Sequence, residues 1–225
     1  RDRDVTGVQT CALPIYINLK FEFSAEKELN NILKIINNFI IVKPTLNAFN
    51  NSLILNDDIY KKESIINWIQ EEINKDKIEF DLIYKISKYG SKSGDFHKYC
   101  DNKGPTLLII KTDKNYIFGG FTPLNWHTKG GEIMDESMRT FIFSLNRMRK
   151  FQMISIKKKA IRCESGYGPI FGDFDIGLHD DMKSGQIYAN RTCNFMSNNN
   201  LELTGGKGDN ENFNTEELEV YKVIY

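Results

Sequence analysis

Two apolar runs separated by a short polar turn constrain this chain more than anything else in it. TLLIIK at 106–111 is a continuous apolar stretch, Asp113-Lys114-Asn115 is turn chemistry, and YIFGGFT at 116–122 returns. Runs of that length bounded by turn residues read as paired strands, so the segment is a β-hairpin. Further strand candidates lie at FIFSL (141–145), MISI (153–156), AIRC (160–163), FDIGLHD (174–180), CNFM (193–196) and ELEVYKV (217–223). Gly and Asn clusters separate them, and the crossover helices of 10 to 15 residues that a parallel sheet needs are absent in this half. The expected class is α+β, mainly β: a two-sheet antiparallel β-sandwich with a few flanking helices and an N-terminal helix.

The front half has the other period. From Ser24, apolar residues at Leu29, Ile32, Leu33, Ile35, Ile36, Phe39 and Ile40 come close to a helical spacing that ends before Pro44. Residues 45–58 read as a turn-rich connector. A second amphipathic helix carries Ile59, Ile65, Ile66, Ile69 and Ile73 with Trp68; a third is expected over 78–87 and a fourth over 93–100. Residues 1–15 share no period with the rest of the chain. Their back-translation matches a common sequencing adapter over Val5 to Ile15, so they are read as an artefactual or disordered tail, with the natural sequence truncated at its N-terminus. The organisation expected is therefore tail (1–15), N-terminal helix and connector (16–50), and a β-rich domain (51–225).

Charge and cysteine content exclude several functions. With 30 basic and 30 acidic side chains in 225 residues, the net charge is zero, and no overall field gathers nucleic acid or an anionic bilayer. The longest apolar run, FIIV at 39–42, is far short of the roughly 20 residues of a spanning helix. Setting Cys11 aside with the tail, Cys100, Cys163 and Cys193 are dispersed, which suits neither a disulfide framework nor a zinc site and fits a reducing, cytoplasmic setting. No cofactor is implied.

The stretch FDLIYKISKYGSKSGDFHKYCDNKGPTLLIIKTDKNYIFGGFTPLNW, 80–126, resembles the TLDc domain family, the oxidation-resistance type domain. The resemblance rests on Leu82, the Ser87–Gly90 turn, Phe96, Cys100, Gly104-Pro105-Thr106, Phe118-Gly119-Gly120-Phe121 and Trp126. It continues through FIFSLN at 141–146, GYGPIFG at 166–172 with Gly168 and Gly172, and FNTEELEVYKV at 213–223 with Glu219. Tyr89 stands where the family usually has Asp, and Ser91 where it often has an aromatic residue; the departures concern that turn, not the fold. The resemblance implies a two-sheet antiparallel sandwich, protection against oxidative stress, and in several members binding to the vacuolar proton-pumping ATPase, at the cytosolic face of organelles. It implies a non-enzymatic protein-interaction module. Gly104, Pro105, Phe118, Gly119, Gly120, Trp126, Gly168, Gly172 and Glu219 are its signature positions, structural or interacting.

Several groups of side chains are of types that can carry chemistry. Asp173, Asp175, His179, Asp180 and Asp181 have the look of hard-cation ligands, but Asp173, Asp175, Gly177 and His179 alternate with Phe174, Ile176 and Leu178, which reads as the solvated face of a strand. Cys163 beside Arg162 invites a reactive-thiol reading, but alternation in AIRC sets the two on opposite faces. The alternative function is accordingly a thiol-dependent redox enzyme using Cys163 or Cys193; a small-ligand-binding sandwich is a third reading. His97 and His127 show no partner in sequence. Gly205-Gly206-Lys207-Gly208 reads as a surface loop, and the basic run from Arg147 to Lys159 as solvated turns. Phe121 and Trp126 are candidate exposed anchors for a partner, although a core position is the simpler expectation for Trp126.

Overall fold

The computed structural model describes residues 27–33, 48–188, 194–195, 203–204 and 210–225. Two compact units divide at Leu46/Asn47. In the first, residues 27–33 are helical and exposed, within the span expected for the N-terminal helix; the rest of that expectation, and the tail, lie outside the described residues.

The second unit begins with a turn over 48–50 and helix α1 (Ile59–Ile73). Asp58 caps α1: its carboxylate accepts from the Lys61 N–H and pairs with the Lys61 ammonium at 2.7 Å. Asn74 ends the helix in the left-handed conformation. Ile65, Ile69 and Ile73 form its buried stripe.

Strand β1 (Glu79–Lys85) comes next and runs into two short helices, α2 (Ile86–Tyr89) and α3 (Ser93–Cys100). The helix expected over 78–87 is thus mostly a strand. Phe80 and Leu82 repeat with a period of two and lie on one face, and a register shift between Leu82 and Tyr84 turns Ile83 and Tyr84 toward the other core, which imitates a helical spacing in the sequence. The helix expected over 93–100 is α3.

The remaining strands are β2 (Thr106–Thr112), β3 (Ile117–Thr122), β4 (Gly131–Met134), β5 (Phe141–Ser144), β6 (Arg149–Gln152), β7 (Lys159–Cys163), β8 (Ile170–Phe171), β9 (Ile176–Leu178), β10 (Ser184–Tyr188) and β11 (Asn210–Ile224). All pairings between these strands are antiparallel, in the order β4-β7-β8-β9-β10-β11-β2-β3-β5-β6, with β1 also on β11. β11 belongs to both sheets. Its first part, from Asn210 to Asn214, pairs with β10, and its later part pairs with β2 on one side and β1 on the other. A register shift between Thr215 and Glu217 marks the passage, as a bulge bends and twists a strand.

The α+β, mainly β, two-sheet sandwich expected from the sequence is the fold. Its core lies between the sheets, where Leu108, Ile110, Phe118, Ile142, Leu218 and Val220 of one meet Ile161, Phe171, Ile176, Leu178, Ile187 and Phe213 of the other. A second core covers the outer face of the first sheet: Leu107, Ile109, Phe121, Phe141, Phe143 and Tyr221 pack under α1 and the 49–55 segment. The first sheet is buried on both faces, and this is why 106–110 and 141–143 read as unbroken apolar runs.

Two expected strands are not formed as such. MISI contributes only Met153, in an isolated bridge to Phe195 of CNFM, while Ile154 and Ile156 are exposed in a turn; Cys193 and Met196 lie outside the described residues. FDIGLHD is reduced to β9, because Phe174 takes a positive φ of 68° and breaks the alternation.

Candidate functional site

Part of the signature, Phe118, Gly119, Gly120 and Trp126, lies at the middle of the sandwich. On β3, Gly119 lies opposite Ile109 and Gly120 opposite Leu108. A Cβ on Gly119 would lie 1.9 Å from the Leu108 carbonyl oxygen, and one on Gly120 2.6 Å from the Phe171 ring of the other sheet. The pair therefore permits close approach: backbone to backbone on one face and ring to backbone on the other. Phe118, beside them, sets its ring edge-on to Phe213 at 5.1 Å.

Trp126 is buried, with its indole Nε1–H donating to Thr106 Oγ1 at 2.9 Å and its ring edge-on to Phe96 and Phe171. Gly104 N–H donates to Asn125 Oδ1, and the Pro105 carbonyl accepts from Val223 N–H at 2.9 Å, so the Gly-Pro turn ties β2 to the end of β11. Gly168 N–H donates to the Leu178 carbonyl and Gly172 N–H to the Ala160 carbonyl. Phe121, expected as an exposed anchor, is 0 % exposed, whereas Trp126, at 1 %, takes the core position that was the simpler expectation for it. Phe121 is covered in the outer core under α1, and Trp126 is enclosed between the sheets by Phe96 and Phe171.

Glu219 is fully buried on the outer face of the first sheet, under the 49–55 segment. Its carboxylate accepts from Ser52 Oγ–H (2.6 Å), Leu53 N–H (2.6 Å) and Tyr221 O–H (2.8 Å), and faces the Lys85 ammonium at 3.4 Å. Lys85 Nζ also donates to the Asn51 carbonyl at 2.8 Å. A buried charge persists only when its hydrogen-bonding capacity is met, and here four groups from three segments meet it. Burial pushes the Tyr221 hydroxyl above its ordinary value, and the neighbouring Glu219 charge adds to this. The arrangement is a clasp that fastens residues 51–53 to β1 and β11; it holds no reacting atom.

The thiols are equally enclosed. Cys100 and Cys163 are buried and reduced. Burial raises both, Cys163 to about 11 despite an opposing hydrogen bond from the His127 backbone. Arg162 points away from Cys163, as expected, toward Glu164 and Asp173. His97 does have a partner, although none is evident from the sequence: Nδ1 lies 2.7 Å from Oδ1 of Asp101, the residue that caps the C-terminus of α3, and Nε2 lies 3.0 and 3.1 Å from the Glu164 and Tyr167 carbonyl oxygens. Both ring nitrogens are taken up by structural acceptors, and Ser93 Oγ on the same helix donates instead to Ser165 O and Asp180. Among the described residues no nucleophile bonds this imidazole, and the cluster docks α3 on the 164–167 loop.

A model of the TLDc domain family matches residues 48–224. The chain belongs to the TLDc domain family. It is also similar to the MTOR-associated protein MEAK7 of Danio rerio, 29% identical over 152 residues that cover 63% of this chain and 32% of that protein. The aligned part thus spans about a third of that relative's length.

Within this TLDc domain, the departure at Tyr89 is absorbed by packing. Its ring lies 4.5 Å from Tyr99 and stacks at 6.3 Å on Tyr84, whose hydroxyl donates to the Gly90 carbonyl. The acidic cluster of the domain is corrected in one respect. Asp175 is not on a solvated face but buried, accepting from Asn194 Nδ2 at 2.7 Å, while Asp173 pairs with Lys159 and Arg162, and Asp181 accepts from Ser184. Among the described residues no group of three or more His, Cys, Asp or Glu is placed to hold a metal ion. Among them, too, no helix is long and apolar enough to cross a membrane. The glycine-rich loop at 205–208 and Cys193 lie outside the described residues.

Proposed function

We propose that this TLDc domain is a non-enzymatic protein-interaction module that docks on a subunit of the vacuolar proton-pumping ATPase at the cytosolic face of organelles, and so contributes to oxidative-stress tolerance. The observation that carries the reading is the enclosure of the chemistry-bearing groups: Cys100 and Cys163 are buried and His97 is bound on both nitrogens. The signature residues from Gly119 to Glu219 are interior and build a scaffold, which leaves the outer surface for recognition. Membership of the family supports the pump as partner, and the name of the MTOR-associated relative supports protein association as the mode. A stable complex requires on the order of 1,200 Å² or more of total buried surface.

The test is co-purification of pump subunits with the tagged chain from its own cell. Replacing Cys100, Cys163 and Cys193 together by Ser, in a variant shown to melt cooperatively, should leave the pump subunits on the column, and chelator should change nothing. Failure of the unaltered chain to retain any pump subunit overturns the partner. Loss of retention in the folded thiol-free variant overturns the mode and favours thiol chemistry.

A further inference from the structure

Zero net charge conceals a segregated stretch. Between Glu136 and Glu164 the sequence carries eight Lys and Arg and no Asp or Glu. Three of these are neutralised by carboxylates from outside the stretch or at its border: Lys150 by Glu71 and Glu72 of α1, Lys159 by Glu132 and Asp173, and Arg162 by Glu164 and Asp173. Arg139, Arg147 and Lys157 are exposed and form no ion pair among the described residues.

The fold places these cations beside exposed aliphatic side chains. β6 is the last strand of the sheet path, and a turn stands at each of its ends. One presents Arg147 and Met148, the latter 45 % exposed at a positive φ; the other presents Ile154 (44 %), Ile156 (51 %) and Lys157. With ~3.4 Å rise per residue, β6 and its flanking residues set Met148 and Ile154 roughly 20 Å apart. Nothing in this strip resembles the buried aromatic anchor of a protein interface. Apolar turn tips flanked by cations suit a surface that offers many anions above a hydrocarbon boundary.

We infer that the β6 edge, through Arg147, Met148, Ile154, Ile156 and Lys157, docks peripherally on an anionic lipid surface. The cations lie at headgroup level while the three aliphatic side chains enter the boundary region, with no segment spanning the bilayer. The attraction is local, because at about 0.1 M salt charges act over ~10 Å, which screens the edge from the acidic excess that balances this stretch elsewhere in the neutral chain. This goes beyond the proposed pump contact, and its test contains no pump.

The experiment is co-sedimentation of the full chain with phosphatidylcholine vesicles, with and without phosphatidylserine at about one part in three, at about 0.1 M salt. Retention on the phosphatidylserine vesicles alone, weakening as salt is raised, is expected. R147S/K157S should lower partitioning roughly 25-fold, about fivefold for each charge, and I154S/I156S should lower it on the same vesicles. Both variants should keep the unaltered melting temperature, since all four residues are exposed. Equal retention on both vesicle types, no retention on either, or full retention by the variant carrying all four changes would each overturn the inference.

Discussion

Lys85 of β1 and Glu219 of β11 face each other at 3.4 Å with their side chains 9 % and 0 % exposed. The register that pairs these same two residues across the strands places the ammonium and the carboxylate together under residues 51–53. Removing one member of such a pair leaves the other charge buried and uncompensated. Glu219→Ala should therefore cost about 3–5 kcal/mol, and Lys85→Met a similar amount. The double replacement Lys85→Met with Glu219→Met should cost less than the two single changes summed. Urea midpoints for the four proteins check this; strict additivity would show that the charges do not interact.

The two glycines of β3 should differ in their tolerance. Gly120→Ala pushes on the Phe171 ring, which can tilt, so a loss of about 1–3 kcal/mol is expected. Gly119→Ala pushes on the Leu108 carbonyl oxygen, which is fixed in the ladder, and should cost more or prevent folding. Denaturation of the two variants ranks them, and a Gly119→Ala protein as stable as the unaltered chain would contradict the geometry.

Acid stability should depend on Asp135. Burial alone would raise its carboxyl, but the hydroxyls of Ser137 and Thr140 and the backbone N–H groups of both residues outweigh this and hold it below the ordinary carboxylate range. A group lowered in the folded state takes up its proton first in the unfolded state. Its stabilisation is thus present above the unfolded value of about 3.9 and is lost as pH falls through the lower folded value. Urea midpoints measured from pH 7 to pH 2 should fall less steeply at the acid end for Asp135→Asn than for the unaltered chain, from a lower starting stability. Parallel curves would remove Asp135 from the acid limb.

Thiol labelling of the folded protein near pH 8 should be slow at Cys100 and Cys163. Both are buried, and Cys163, at about 11, is almost wholly protonated there. Their labelling rate should rise with sub-denaturing urea, since reaction requires opening. Fast labelling of Cys163 in the native protein, located by mass spectrometry, would show that the structure encloses it less than its burial indicates.

The strands with the strongest local signal were legible because burial on both faces writes an apolar run directly into the sequence, as at 106–110 and 141–143. β1 was not, because its register shift lets Leu82 and Ile83 face different cores, so Phe80, Leu82, Ile83 and the following Ile86 show a helical interval. β4, β8 and β10 are short or polar, and pairing rather than composition defines them. The glycine pair and Glu219 could be picked out by resemblance, but their reasons could not be read. The Leu108 carbonyl, the Phe171 ring, Ser52 and Lys85 are distant in sequence and meet only through the fold. Asp101 was within reach, since a carboxylate four residues after a histidine on an expected helix is a local signal.

Because β11 joins the two sheets, as the end strand of one and between β1 and β2 in the other, the sandwich cannot close before residues 210–224 are made. Until those residues leave the ribosome, β2 and β10 each present an unpaired edge, and apolar faces from both halves stand open to neighbours. Folding is then a single late event dominated by contacts distant along the chain, which makes it slow and places the nascent domain in the care of chaperones. A ribosome stalled anywhere before Asn210 would release a sticky intermediate rather than a smaller working domain.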